Sequence, residues 1–258
     1  MKALWIAFSM YSKIPVPIVD WDEKNMRYSI CYFPLVGLVI GFLFTVTSWI
    51  CDVLTMGDLF KAAILTVLPV LISGGIHLDG YCDTQDALSS YQSREKKLEI
   101  MKDPNAGAFA VIRCGAYYIL SLGAVSQLSG RALFIVAIGF IVSRAFSGLA
   151  VVSFQTAKDS GLAAAFQKAS QKKTVSMVMA LYLFVSFVAM LTISPLYGVV
   201  AMVTAAIMFL RYRIISYRQF GGITGDVAGY FLQQCELAIC MAVVIVEGVY
   251  RYGINHWW

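Results

Sequence analysis

The chain has 258 residues, of which 59% are hydrophobic and 14% charged, and its mean hydropathy is +0.73. Soluble domains carry roughly 25% charged residues, so this balance excludes an ordinary water-soluble domain and indicates a helical protein that crosses a membrane several times. The net charge of +5 is modest; on such a chain it reflects loop bias rather than nucleic-acid binding.

The amino-terminal stretch, Met1 to Val19, is apolar and aromatic and is broken by Pro15 and Pro17. It reads as a short span or a re-entrant or interfacial helix, which the sequence leaves open, and as part of the mature protein, since no small-residue cleavage site follows it. Seven apolar spans come after it: Tyr28–Cys51, Leu59–Ser73, Gly107–Leu128, Ala132–Phe154, Thr174–Ile193, Leu196–Ile215 and Phe231–Tyr250. Pro69 is expected to kink the second span. Ser89–Asn105, Gln155–Lys173 and Arg211–Gly229 read as polar or basic loops. The expected fold is all-α and polytopic, a single membrane-embedded domain over residues 1–258 with about seven transmembrane helices. The six cysteines form no C-x-x-C pair and read as small buried hydrophobes. Two histidines are too few for a zinc cluster.

Charge sorts the loops by side. Residues 20–28, 77–106, 155–173 and 211–232 hold 13 of the 20 Lys and Arg, and the opposite loops hold three. The positive-inside rule puts the rich side in the cytoplasm, which predicts a multi-pass protein of the cytoplasmic (inner) membrane. The polar motifs fall on that same side.

The first motif follows the second span. Asp79, Asp83 and Asp86 stand at i, i+4 and i+7, so on a helix one face carries three carboxylates. An acidic helix start is often only a solvated face favoured by the dipole. At the mouth of so apolar a protein, Mg²⁺ held by carboxylates against phosphate oxygens is the stronger reading. Lys102 and Asp103 close the next loop. Gly221, Gly222 and Gly225 lie in Gly-Gly-Ile-Thr-Gly-Asp, where backbone N–H groups could cradle phosphate and Asp226 could complete a metal site, although ordinary turns share this pattern. His77 is a candidate general base, but it falls about 160° from the acidic face if it is already helical. Arg113 and Arg144 lie inside apolar spans, where a lone guanidinium is costly and demands a partner. Arg113, near the mouth, is expected to bind substrate phosphate. Arg144, near mid-membrane, is expected to pair with Glu236. Carboxylates for a divalent cation and cationic groups for phosphate are the parts of a phosphoryl-transfer site.

Three stretches carry a resemblance: His77-Leu78-Asp79-Gly80 with Asp83-Thr84 and Asp86, Leu98-Glu99-Ile100-Met101-Lys102-Asp103, and Gly221-Gly222-Ile223-Thr224-Gly225-Asp226. Together with Ile14-Pro15-Val16-Pro17, Phe33-Pro34-Leu35-Val36-Gly37-Leu38 and Ser143-Arg144, they closely resemble the cobalamin synthase family over essentially the whole chain. The resemblance implies a Mg²⁺-dependent membrane transferase that joins α-ribazole, or its 5′-phosphate, to adenosylcobinamide-GDP and releases GMP. It implies metal contacts from Asp79, Asp83, Asp86, Asp103 and Asp226. The residues' own chemistry adds His77 beside Asp79 and Asp83 as a catalytic candidate, and Lys102, Arg113 and the glycine loop as phosphate contacts. The partners are these substrates and the bilayer; no nucleic acid is expected, and the oligomeric state is left open. Two departures from the family pattern are Ala87, where glycine is usual, and Gln233, where Glu is usual. A CDP-alcohol phosphotransferase also opens its acidic motif with Asp-Gly, but the Ala-Arg pair that follows there is missing here. An ion or metal transporter using Asp79, Asp83, Arg113 and Glu236 is the non-enzymatic alternative; it usually shows repeats and midplane acids, which are not evident.

Overall fold

The computed structural model of the protein describes residues 1–257. The chain is all-helical, in the order α1 (Lys2–Tyr11), α2 (Glu23–Met26), a 3₁₀ turn (Ser29–Tyr32), α3 (Phe33–Val53), α4 (Asp58–Ser73), α5 (Ile76–Ser89), α6 (Arg94–Ile100), α7 (Ala108–Val125), α8 (Gly130–Ser153), α9 (Leu162–Ala169), α10 (Lys172–Ile193), α11 (Pro195–Ile215), a π turn (Ser216–Phe220) and α12 (Gly225–Trp257). Among the described residues six helices are long and apolar enough to cross a membrane, and a seventh span arises if the bent pair α4–α5 is one crossing. This is a multi-pass helical membrane protein. The expected seven spans map onto these helices. Ten-residue α1 is about 15 Å long, too short to cross, and packs beside α3.

The bundle is built around α8, whose apolar window is 78% buried, while α7, α10 and α11 are only 17–22% buried and turn most of their surface outward. An outer ring whose side chains face lipid needs no polar outer face. α3 and α8 touch backbone to backbone: a Cβ at Gly37 or Gly41 would run into the carbonyls of Phe140 and Ala137. That Gly-x-x-x-Gly spacing permits close helix approach where no side chain intervenes.

Arg144 of α8 is 1% exposed and its Nη1 lies 2.5 Å from Glu236 Oε1 on α12. Ser143 Oγ donates to the same carboxylate oxygen at 2.9 Å, and Arg144 Nη1 also donates to Phe140 O at 2.9 Å. The guanidinium lies about 6 Å from the rings of Phe33 and Phe140. The expected Arg144–Glu236 pair is therefore present, in the middle of the helix packing.

Pro69 lies within α4, and the chain turns sharply five residues later at Gly74 and Gly75, both at positive φ (68° and 81°), so that α5 leaves at 95° to α4. Two consecutive left-handed residues favour glycine, which has no Cβ to clash. The polar stretches Ser89–Asn105 and Gln155–Lys173 are also not mere loops, since they fold into α6 and α9.

The basic loops do gather at one end of the bundle. Arg94 Nε donates to Arg218 O at 3.2 Å, Lys97 Nζ to Gln219 Oε1 at 2.5 Å, Lys158 Nζ to Leu98 O at 3.3 Å and Gln171 N to Arg27 O at 3.1 Å. The Lys61–Asp52 pair, 2.7 Å, belongs to the opposite loops.

Candidate active site

The site forms where α5 crosses the start of α12. A Cβ at Gly80 would come within 2.7 Å of Asp226 Cα, and one at Gly229 within 2.8 Å of His77 O. These glycines let the two helices meet at backbone distance, and the contact brings Asp226 beside the carboxylates of α5. Asp83 lies in the field of Asp79, Asp226 and Asp86. Among the described residues no ion pair within 4 Å neutralises Asp79, Asp83 or Asp226.

The acidic row divides by environment. Asp79 and Asp83 share one open cavity, and Asp83, Asp86 and Asp103 line the next. Asp86 is already engaged: its two oxygens accept from the N–H groups of Gly107, at 2.6 Å, and Ala110, at 2.8 Å, and so satisfy the free donors at the start of α7. Asp103 is exposed, and the N–H and side-chain amide of Asn105 donate to its Oδ1 at 2.9 Å. Those bonds hold its carboxyl below the usual carboxylate range.

Two chambers meet at Leu162–Ala163 and Ile223–Asp226. The first, about 290 Å³, is lined by Tyr11, Phe33, His77, Asp79, Phe166 and other apolar side chains. His77 is buried, stacks on Tyr11 with centroids 5.9 Å apart, and its Nε2 has no hydrogen-bond partner among the described residues. It therefore shares a chamber with Asp79 despite its angle on the helical wheel. The second chamber, about 220 Å³, is lined by Lys102, Lys158, Ser160, Thr224, Gly225 and Asp226, with further residues of α6 and α9. Burial, and then the Lys102 ammonium beside it, hold the Lys158 ammonium below the usual lysine range. Two ammonium groups facing one cavity favour an anion there.

The glycine loop does a narrower job than expected. Gly222 N donates to Ser216 O at 3.0 Å and Ile223 N to Gln155 O at 2.9 Å, so neither N–H is free for phosphate. A Cβ at Gly222 would come within about 2.5 Å of the backbone of Gln155 and Thr156; the loop is glycine-rich here because two backbones pack together. Gly221, at φ 79°, ends the π turn. Neither lines the chambers, whereas Gly225 lines both, and Thr224 caps α12 through Oγ1 to Val227 N at 3.1 Å. Arg113 is exposed on α7 and lies outside both chambers. Lys158, Tyr11 and Phe166 were not foreseen. The basic character of 155–173 was the signal available for Lys158, while the aromatic pair gave none.

The donor set bears on the divalent cation. Among the described residues no three His, Cys, Asp or Glu side chains converge as a metal cage. Carboxylate oxygens without ion-pair partners, beside a lysine-lined anion chamber, do match the way Mg²⁺ is commonly bound, through one or two carboxylates plus substrate phosphate.

Fold and site thus define a polytopic helical membrane protein with an acid- and lysine-lined mouth at one end of its bundle. The family model described as cobalamin-5-phosphate synthase matches residues 3–244, and the chain belongs to that family. It is 57% identical over 258 residues to the adenosylcobinamide-GDP ribazoletransferase of Lachnoclostridium phytofermentans, covering 100% of this chain and 99% of that protein. Proteins of the same name from Pseudomonas fluorescens (strain Pf0-1; 33% over 253 residues, 95% of this chain and 100% of that protein) and Clostridium perfringens (strain SM101; 29% over 247 residues, 95% and 98%) are also similar. No solved structure matches the chain.

Proposed function

We propose that this chain transfers ribazole, or its 5′-phosphate, onto adenosylcobinamide-GDP at the α5–α12 crossing, with release of GMP. It is a transferase of cobalamin assembly; its family membership and the 57% identity to a full-length relative carry that statement. The observation that carries the site is the crowding of Asp79, Asp83 and Asp226 beside a chamber holding Lys102 and Lys158. In this reading a hydroxyl of the nucleoside attacks the phosphorus that adjoins the cobinamide. The new P–O bond forms as the P–O bond to GMP breaks, and the hydroxyl proton passes to Asp79 or His77, two of the titratable groups lining the first chamber. Lys102 and Lys158 hold the diphosphate in place by charge-assisted hydrogen bonds. One or two of Asp79, Asp83 and Asp226 would hold Mg²⁺ together with substrate phosphate, with Asp86 and Asp103 lining the adjoining cavity. Mg²⁺ supplies charge neutralisation at the phosphate when bound. The site faces the cytoplasm of the inner membrane, a reading supported by the 13 Lys and Arg on its side of the bundle.

The test is GMP release from adenosylcobinamide-GDP and α-ribazole by purified protein in nanodiscs, with and without Mg²⁺. Asp79→Asn and Asp83→Asn are expected to lower turnover by about 10²–10⁴-fold while the protein stays monodisperse. Near-normal turnover in both variants removes the acidic row from the chemistry. No GMP from wild-type protein removes the reading altogether.

A further inference from the structure

Beyond Asp79, Asp226 and His77, the lining of the first chamber has no task in that reading. Much of its wall comes from three parts of the chain outside the acidic motif: Tyr11 at the end of α1, Phe33 at the start of α3, and Leu162 and Phe166 on α9. Tyr11 and Phe33 have ring centroids 4.1 Å apart, and Tyr11 and Phe166 6.1 Å apart. The buried His77 ring lies 5.8 Å from Phe33 and is nearly parallel to Tyr11, at 24°. No lysine or arginine lines this chamber, while both of its charged lining groups, Asp79 and Asp226, are carboxylates. A phosphate is therefore repelled from it, and the neighbouring lysine-lined chamber is the better place for one. At about 290 Å³ it stands at the small end of small-molecule sites, roughly 300–1,000 Å³, far too small for a corrinoid ring.

Aromatic walls around a compact apolar space favour a flat, uncharged ring system, which stacks and stays dry there. The chamber adjoins the lysine-lined one at the residues the two share, Leu162, Ala163 and Ile223 to Asp226. We propose that this chamber seats the heteroaromatic base of the nucleoside acceptor against the wall formed by Tyr11, Phe33 and Phe166, with its ribose at the Asp79–Asp226 rim. The assignment rests on the transferase reading above and adds to it: α1 and α9, which do not cross the membrane, set which base is accepted. A lipid acyl chain is the rival occupant of an apolar chamber in a membrane protein, and the experiment separates the two.

Ala228 lines the chamber from the first turn of α12 and is half-buried. Ala228→Leu shrinks the chamber without adding charge. Initial rates in nanodiscs, with acceptors bearing dimethylbenzimidazole, benzimidazole and imidazole bases, should show an acceptor kcat/KM lowered by about 10–200-fold for the largest base. The loss should shrink for imidazole, and the KM for adenosylcobinamide-GDP should hold within about twofold. Leu162→Ala, at a position 49% exposed and so safe for folding, opens the outer wall and should shift preference toward bulkier bases. If wild-type protein turns over while both variants rank the acceptors as wild type does, the assignment falls and the transferase reading stands. The same holds if Ala228→Leu depresses all acceptors equally, as displacement of a structural lipid would. If wild-type protein shows no turnover, both fall.

Discussion

Replacing Arg144 tests how the membrane part of the bundle is held. The guanidinium is 1% exposed and its carboxylate partner Glu236 is 9% exposed, so neither charge has water to fall back on. Arg144→Met removes three Nη1 bonds, to Glu236 Oε1 at 2.5 Å, Phe140 O at 2.9 Å and Ser143 Oγ at 3.2 Å. It leaves Glu236 with the Ser143 hydroxyl, and one neutral donor does not compensate a buried carboxylate. Breaking a buried pair from one side costs about 3–5 kcal/mol. At about 2–4 °C per kcal/mol for a chain of this length, the midpoint of a thermal scan in one detergent should fall by about 6–20 °C. Adding Glu236→Gln removes the stranded charge and should recover part of the loss, giving a coupling of about 0.5–3 kcal/mol in the cycle. The assay is a fluorescence thermal scan of the four proteins, with size-exclusion profiles beside it. Strict additivity, or a double variant less stable than the sum predicts, would refute the pair as the source of the loss.

Two further outcomes concern the phosphate side. Lys102→Ala and Lys158→Ala should each raise the KM for adenosylcobinamide-GDP by roughly 10–100-fold, the worth of one charge-assisted hydrogen bond, with the melting temperature unchanged; an unchanged KM in both empties the second chamber of its role. Arg113→Lys should leave kcat and KM within about twofold of wild type, because Arg113 stands on the exposed face of α7 outside both chambers, where a long cation snorkels to the headgroups; a tenfold loss would return Arg113 to the site.

The spans were legible because long apolar runs are a one-dimensional signal: a helix in lipid must satisfy its own backbone and tolerates few charges. The Arg144–Glu236 pair was legible for the same reason, since a guanidinium in an apolar span implies a partner. The acidic face of α5 followed from spacing alone. What the spacing could not record depends on contacts between distant segments. Asp86 has the same spacing as its neighbours, yet its two oxygens cap α7 because Gly107 comes to rest against it. Gly222 looks like a phosphate loop residue, but its missing side chain admits the backbone of Gln155 and Thr156. α6 and α9 have seven and eight residues, too short to be stable as isolated helices, and they fold through packing at the mouth. Lys158 meets Lys102 across 56 positions of sequence, and no local pattern records that.

The position of the break at Gly74–Gly75 explains why the acids and the last helix form one site. α4 supplies 16 largely apolar residues, while α5 is polar along its carboxylate face and leaves at 95°. Had the helix run straight through Pro69 and beyond, Asp79, Asp83 and Asp86 would have extended along the axis of α4, away from the start of α12. The turn instead lays α5 against α12, and the absence of side chains at Gly80 and Gly229 sets how closely the two approach. Asp226, more than 140 positions after Asp79, therefore enters the same field of charge. The like charges gathered there repel one another, and no ion pair among the described residues relieves them. Helix packing elsewhere in the bundle, anchored at α8, supplies the stability that holds this crowding in place. Under the transferase reading, a strained acidic row beside a lysine-lined chamber is what a substrate bringing diphosphate and cation together would stabilise.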